Sequence, residues 1–197
     1  KHDAESAFNK LFSSKGYENY KLNLDEAKPL QDYIMHKVIQ LGIEAGLPFQ
    51  IHTGLQDGNG NYLTNSNPLL LSNLFMTYKQ GRFDIFHAGY PFTSEVGVLA
   101  KMFPGVHADL CWMHIISPAA ARRTLDEWIE TIPVSKIFGF GGDFCSVEGA
   151  YGHSKIAREN VARVLAAKVA EGYLTQSEAS SIARMLLREN AKEFFDI

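Results

Sequence analysis

FDIFHAGYP, residues 83–91, decides the fold. An apolar run suited to a buried strand ends in His87 and is broken at once by Gly89 and Pro91. A single histidine at a strand end is usually just hydrogen-bonded. Here the arrangement recurs: PFQIHTG (48–54) ends its apolar run in His52, and KIFGFGGDF (136–144) ends in Asp143. Three expected strands therefore finish in side chains able to ligate a metal. Between them lie segments with helical spacing, and the order helix–strand repeats along the chain. Strict alternation implies parallel strands joined by crossover helices. The strand segments are apolar on both faces, as parallel strands covered by helices are. His52 and His87 lie 35 positions apart (87 − 52), close to one strand-plus-helix unit of a (β/α)8 barrel.

The helices are read from spacing and caps. DAESAFNKLF (3–12) suits a short helix, and SSKGYENYKLN (13–23) a loop. Leu30, Ile34, Val38 and Leu41 recur at helical spacing, with Gly46 as the stop. DGNGNYLTNSNP (57–68) starts like a calcium loop. The sixth position is Tyr62 and the twelfth Pro68, so that reading fails. LLLSNLFMTYKQG (69–81) suits a helix. Thr93 and Ser94 are N-cap candidates for a helix that buries Val96, Leu99, Ala100 and Phe103. VHADLCWM (106–113) suits a strand. Ser117-Pro118 starts a helix that runs through Trp128 and stops before Pro133. A helix is expected over about 154–170. TQSE (175–178) is a capping box opening a last helix, anchored by Phe194 and Phe195.

Bulk composition narrows the function. The 197 residues suit one domain or a large part of one, and 46% hydrophobic residues supply a core. A net charge of −3 gives no electrostatic case for nucleic acid or an anionic membrane. No apolar run reaches the roughly 18 residues of a membrane span, and no signal peptide is visible, so a cytoplasmic location is expected. Cys111 and Cys145 are read as buried free thiols in a reducing compartment.

IHTG, FHAGYP and FGFGGDF, in this order and spacing, resemble the fifth, sixth and eighth strand motifs of the amidohydrolase superfamily. The likeness is to its amidohydrolase-2 branch of metal-dependent TIM-barrel hydrolases and decarboxylases. LLRENAKEFFDI (186–197) is similar to the closing helix of that branch, which carries an Asn-Ala pair, here Asn190-Ala191. The resemblance covers about 30–197. It implies an α/β fold of (β/α)8 TIM-barrel type, with His52, His87 and Asp143 as metal ligands. It also implies Asp143 as general acid/base and His87 as ligand, electrophile or proton relay. The ion implied is divalent: zinc, with manganese or iron as alternatives. A bound divalent ion brings the pKa of its water to about 7, and a carboxylate in reach can shuttle the proton.

One part of the family pattern is missing. Members carry His-x-His on strand one, and none occurs here; His2 is followed by Asp3 and Ala4. The expectation is therefore that the chain covers only the C-terminal half of a barrel, strands five to eight with their helices. On that reading residues 1–28 form a polar N-terminal segment and 29–197 the half barrel. A half barrel exposes two sheet edges, so homo-oligomerisation or pairing with the missing N-terminal half is expected.

Other polar residues are weighed the same way. Trp112, His114, Tyr151 and His153 are candidates for contact with a small-molecule substrate, because they follow the third and fourth strand segments; Glu148 is a weaker one. Asp84 suits a buried hydrogen bond. His107 and Asp109 are placed at the amino end of their strand, on the stability face. Arg122, Arg123 and His36 suit solvated or packing positions. The function expected is a metal-dependent hydrolase of a small polar substrate. The alternatives are a nonoxidative decarboxylase or a sugar-acid isomerase of the same superfamily, or a catalytically incomplete fragment or binding module.

Overall fold

The computed structural model describes residues 1–13, 22–58, 60 and 62–197. It divides into two compact units, Lys1–Leu47 and Pro48–Ile197. The loop expected over 13–23 falls mostly outside the described residues. Residues 59 and 61 of the 57–68 loop also lie outside the described residues.

The first unit pairs α1 (His2–Ser13) with α2 (Leu24–Glu44). Ala4 and Ala7 are buried, Phe8 stacks on Phe12 at 5.0 Å, and Lys10 pairs with Glu26. α2 starts six residues before Leu30, where the apolar spacing begins. Its start is a capping box. The Asn23 side chain accepts from the Glu26 N–H at 2.9 Å, and the Glu26 carboxylate accepts from the Asn23 N–H at 3.3 Å. That cap carries the helix through Pro29. The stripe Ile34, Val38 and Leu41 stays exposed, and the buried residue of α2 is Ile39.

The second unit is built on a four-stranded parallel sheet in the order β1 (Phe49–His52), β2 (Phe83–Phe86), β3 (Val106–Asp109), β4 (Ile137–Phe138). The register pairs His52 with Phe86, Ile85 with Ala108, and Asp109 with Phe138. α3 (Ser72–Thr77), α4 (Thr93–Met102), α5 (Met113–Ile116), α6 (Pro118–Thr131), α7 (Val147–Ala170), α8 (Gln176–Arg184) and α9 (Asn190–Phe195) complete it. The alternation read from the sequence holds through this unit. Val96, Leu99 and Ala100 of α4, Leu125 and Trp128 of α6, and Val161 and Leu165 of α7 are buried.

Boundaries shift for identifiable reasons. The 69–81 segment splits into a 3-10 turn, Pro68–Leu71, and the short α3. Thr93 is the first residue of α4 rather than its cap; the N-cap is Phe92, with no side-chain bond. α7 starts at Val147, because the Ser146 hydroxyl accepts from the Gly149 N–H and opens the helix seven residues before Ser154. β3 ends at Asp109, so this residue sits at the carboxyl end of its strand, not the amino end. Ser117 and Thr175 cap as expected.

The β4 edge is not open. Phe138 O accepts from Leu110 N–H, so Phe138 faces β3 and its neighbours Ile137 and Gly139 face away. On that far side the Asn190 amide donates to Ile137 O at 2.8 Å, and Gly139 N–H donates to Leu186 O at 2.7 Å. Leu186 belongs to a π-helical segment, Met185–Glu189, between α8 and α9. A Cβ on Gly139 would lie 3.0–3.1 Å from Leu186 atoms, so glycine lets the π-helical segment lie against the strand. The expectation of two exposed edges is thus corrected: β1 is the open one among the described residues.

Candidate metal centre

Each of the four strands is followed by a residue in the left-handed region. His87 has φ +64°, Ala88 +51°, Trp112 +60° and Asp143 +47°. Such φ values are costly for side-chain-bearing residues and persist where surrounding structure fixes them, often at functional sites. Gly54 makes one of these junctions possible. Its φ is +66°, and a Cβ there would fall 2.2 Å from Tyr90 O. Without that Cβ the turn after β1 lies directly on the turn after β2. Leu55 N–H then donates to Tyr90 O at 2.7 Å, and Leu55 O accepts from His87 Nδ1 at 2.9 Å.

A carbonyl can only accept, so His87 Nδ1 carries the hydrogen and Nε2 presents a lone pair. That nitrogen lies 3.2 Å from His52 Nδ1 and 3.1 Å from Asp143 Oδ2. The three ligand atoms fall within 4.8 Å of one another. Lone pairs gathered this closely repel unless a proton or cation sits among them. Two imidazoles and a carboxylate are a donor set suited to zinc or a similar divalent ion. The hydrogen bond from a ligating histidine to a backbone carbonyl is the usual outer-shell support. Burial lowers the His52 pKa, with the nearby His87 adding to the effect and Asp143 opposing it. That favours the neutral imidazole a metal needs. The residues present fit the ion.

The centre opens into a cleft of about 550 Å³. Trp112 walls it, with its ring 5.3 Å from that of His87. So do Gln56, Asp57, Phe144 and Cys145, which the sequence reading missed. Their signal was position: they follow His52 and Asp143 on the same turns. Cys145 is exposed, not buried as expected; Cys111 is the buried thiol. The structure does not bring His114, His153 or Tyr151 to this cleft. His114 and His153 are 0% and 1% exposed, behind the wall, and Tyr151 is 65% exposed on α7. Arg122, expected to be solvated, donates to Asn160 Oδ1 at 2.9 Å.

Phe86 lies beside His52 on that face of the sheet, and below the centre the same face turns polar, with Gln50 on β1, Asp84 on β2 and His107 on β3. Gln50 Nε2 donates to Asp84 Oδ2 at 3.2 Å, and Asp84 Oδ1 is buried without a partner. Burial pushes Asp84 up to about 7, and Asp109 well above the carboxylate range. Burial also pushes His107 and His114 down to about 4. The two classes have opposite linkage. The histidines are held neutral, so their contribution is present above the unfolded pKa of 6.5 and is lost as pH falls toward 4. Asp84 is held protonated, so its contribution is present below 3.8 and is lost as pH rises through 7. Asn in place of Asp84 removes that group's own dependence and leaves those of the histidines. In urea unfolding, Asp84→Asn should exceed the parent stability at pH 8 by about 1–3 kcal/mol, and the gain should shrink toward pH 5. A gain that grows on acidification would contradict this assignment.

Comparison with known proteins now adds to the geometry. A family model described as amidohydrolase, of the amidohydrolase-2 type, matches residues 19–197. The chain belongs to the amidohydrolase family. Within the curated proteins, this amidohydrolase-family chain is 29% identical over 178 residues to Protein fluG of Emericella nidulans, covering 87% of the chain and 20% of that protein. Two solved structures share the fold. One, a protein of Lactobacillus casei assigned as a metal-dependent hydrolase, superposes with a TM-score of 0.79 at 22% identity, over 99% of this chain and 50% of that one. The other, a uronate isomerase of Thermotoga maritima, gives 0.76 at 16% identity, over 98% and 46%. The chain thus spans about half the length of the structures it resembles and a fifth of the curated relative. No helix among the described residues is long and apolar enough to cross a membrane.

Proposed function

We propose that this chain supplies the C-terminal half of a (β/α)8 metal-dependent hydrolase acting on a small polar substrate, with Asp143 as its general acid/base. The observation that carries the reading is the convergence of His52, His87 and Asp143 at the carboxyl ends of parallel strands, the end where such folds hold their ligands. His52 and His87 would hold the ion through unprotonated ring nitrogens, and Asp143 through Oδ2. A bound divalent ion supplies Lewis acidity and brings a water's pKa to about 7. Asp143 is more than a third exposed, so its carboxylate faces both the centre and the cleft. From there it can take a proton from an attacking water and return it to a leaving group. Trp112 and Phe144 offer flat apolar walls for a substrate, and Gln56 and Asp57 polar ones. The open edge of β1 is where a further strand would continue the sheet, from the N-terminal half of a barrel or from another chain.

The test is elemental mass spectrometry of the chain and of His52→Ala and Asp143→Ala, each after incubation with zinc, manganese or iron. The expected result is near-stoichiometric metal in the parent and at least a tenfold drop in both variants. A parent that holds no metal, or variants that hold as much as the parent, would overturn the assignment.

A further inference from the structure

The segment that delivers Asp143 is weakly built by its own chain. After Phe138 the backbone leaves the sheet, and FGG precedes Asp143 directly after Gly139. Glycines at 139, 141 and 142 give this stretch high conformational freedom, while Asp143 must be held at φ +47°. Ladder partners do not do this, because β4 ends at Phe138. Its carbonyls are held individually instead. His114 Nε2–H donates to Gly139 O at 2.9 Å, Trp112 N–H to Gly141 O at 3.2 Å, and His153 Nδ1–H to Gly142 O at 3.1 Å.

The two imidazoles are anchored differently. His114 Nδ1 accepts from the Asn160 amide at 3.2 Å, and Asn160 Oδ1 accepts from Arg122 at 2.9 Å. His153 is wedged between Phe140 and Phe144, with ring centroids at 5.1 and 5.7 Å. Its Nε2 is buried with no partner. A leucine of similar size would avoid that orphaned nitrogen, so the favourable feature of a histidine here is the one bond it makes, to the carbonyl preceding Asp143. His153 also touches the ring that follows Asp143. It brackets the ligand from both sides.

We infer that His153, with His114 as a second brace, is a positioning residue that fixes the 139–143 segment and so sets the Asp143 carboxylate at the metal centre. The metal part of this inference rests on the reading proposed above; the bracing part does not. Two readouts on the whole chain separate them: amide hydrogen exchange across 139–146, and zinc affinity by titration.

His153→Leu should accelerate exchange in 139–146 by tenfold or more, with exchange elsewhere and the melting midpoint close to the parent. Zinc affinity should fall 10–100-fold, the scale of losing an outer-shell partner. His153→Asn, whose amide can donate from nearly the Nδ1 position, should keep both within about threefold. Parent-like exchange in His153→Leu would overturn the inference, as would equal losses in the Leu and Asn variants. If the Leu variant does not fold, Asn160→Leu removes the donor to His114, together with the acceptor of Arg122, and leaves His153 in place. Faster exchange at 139–141 is then the supporting result and unchanged exchange the overturning one. A parent that binds no zinc removes the metal reading, while exchange still decides the brace.

Discussion

Trp128→Ala should destabilise the protein by about 3–5 kcal/mol, measured by urea unfolding, and lower its melting midpoint by about 10 °C. Trp128 is fully buried in α6 and is the largest such side chain. It packs where α4 passes closest: a Cβ on Gly97 would sit 3.1 Å from its indole atoms. Alanine would leave a cavity at this seam that two rigid helices cannot collapse into. It would also strip a partner from Thr93 O, which accepts from Trp128 Nε1–H at 3.0 Å. Trp128→Phe keeps most of the volume and loses the donor, so about 1–2 kcal/mol is expected. A loss under about 1 kcal/mol for alanine would mean the seam repacks freely, and the account of α4 and α6 would fail.

The second large effect is an ordering of variants rather than a single value. Lys168 on α7 has a side chain only 3% exposed, while its partners Asp126 and Glu130 on α6 are 49% and 52% exposed. Lys168 Nζ lies 2.9 Å from Asp126 Oδ1 and also bonds Glu130. Asp126→Asn with Glu130→Gln leaves an ammonium buried without a counter-charge, and should cost about 3 kcal/mol or more. Lys168→Met leaves two carboxylates that water already solvates, and a side chain of similar length fills the space. That variant should cost about 1 kcal/mol. The double variant is therefore expected to be the less stable, although it keeps the buried side chain. Equal costs, or a larger cost for Lys168→Met, would mean that the pair acts as an ordinary surface contact.

The sheet and its centre were legible because both depend on patterns local in sequence. Apolar runs stopped by His52, His87 and Asp143 mark strand ends, and parallel topology brings strand ends together. The alternation of elements gave their order. What escaped was set by contacts between distant positions or by caps. Asn23 and Glu26 form a capping box as regular as that of Thr175 and Glu178, yet the apolar spacing drew attention to Leu30. His114 and His153 looked like pocket residues because they follow strand segments. Their burial depends on α5 and α7 folding back over Gly139 and Gly142, which no spacing announces. Asp109 was placed at the wrong end of its strand because VHADLCWM continues apolar past the left-handed turn at Trp112.

The sealed edge of β4 also sets an order in time. Ile137 waits for an amide 53 positions later, and Gly139 for a carbonyl 47 positions later (186 − 139). A ribosome making about 5–20 residues per second needs several seconds to supply them. Until then the strand that presents Asp143 has one neighbour, and its far side is bare. His52 and His87, on strands already made, can reach their places first. The strand that leads to Asp143 is bordered on both sides only when the π-helical segment and Asn190 dock, so a metal held by these three side chains would be captured by the finished fold rather than by the growing chain.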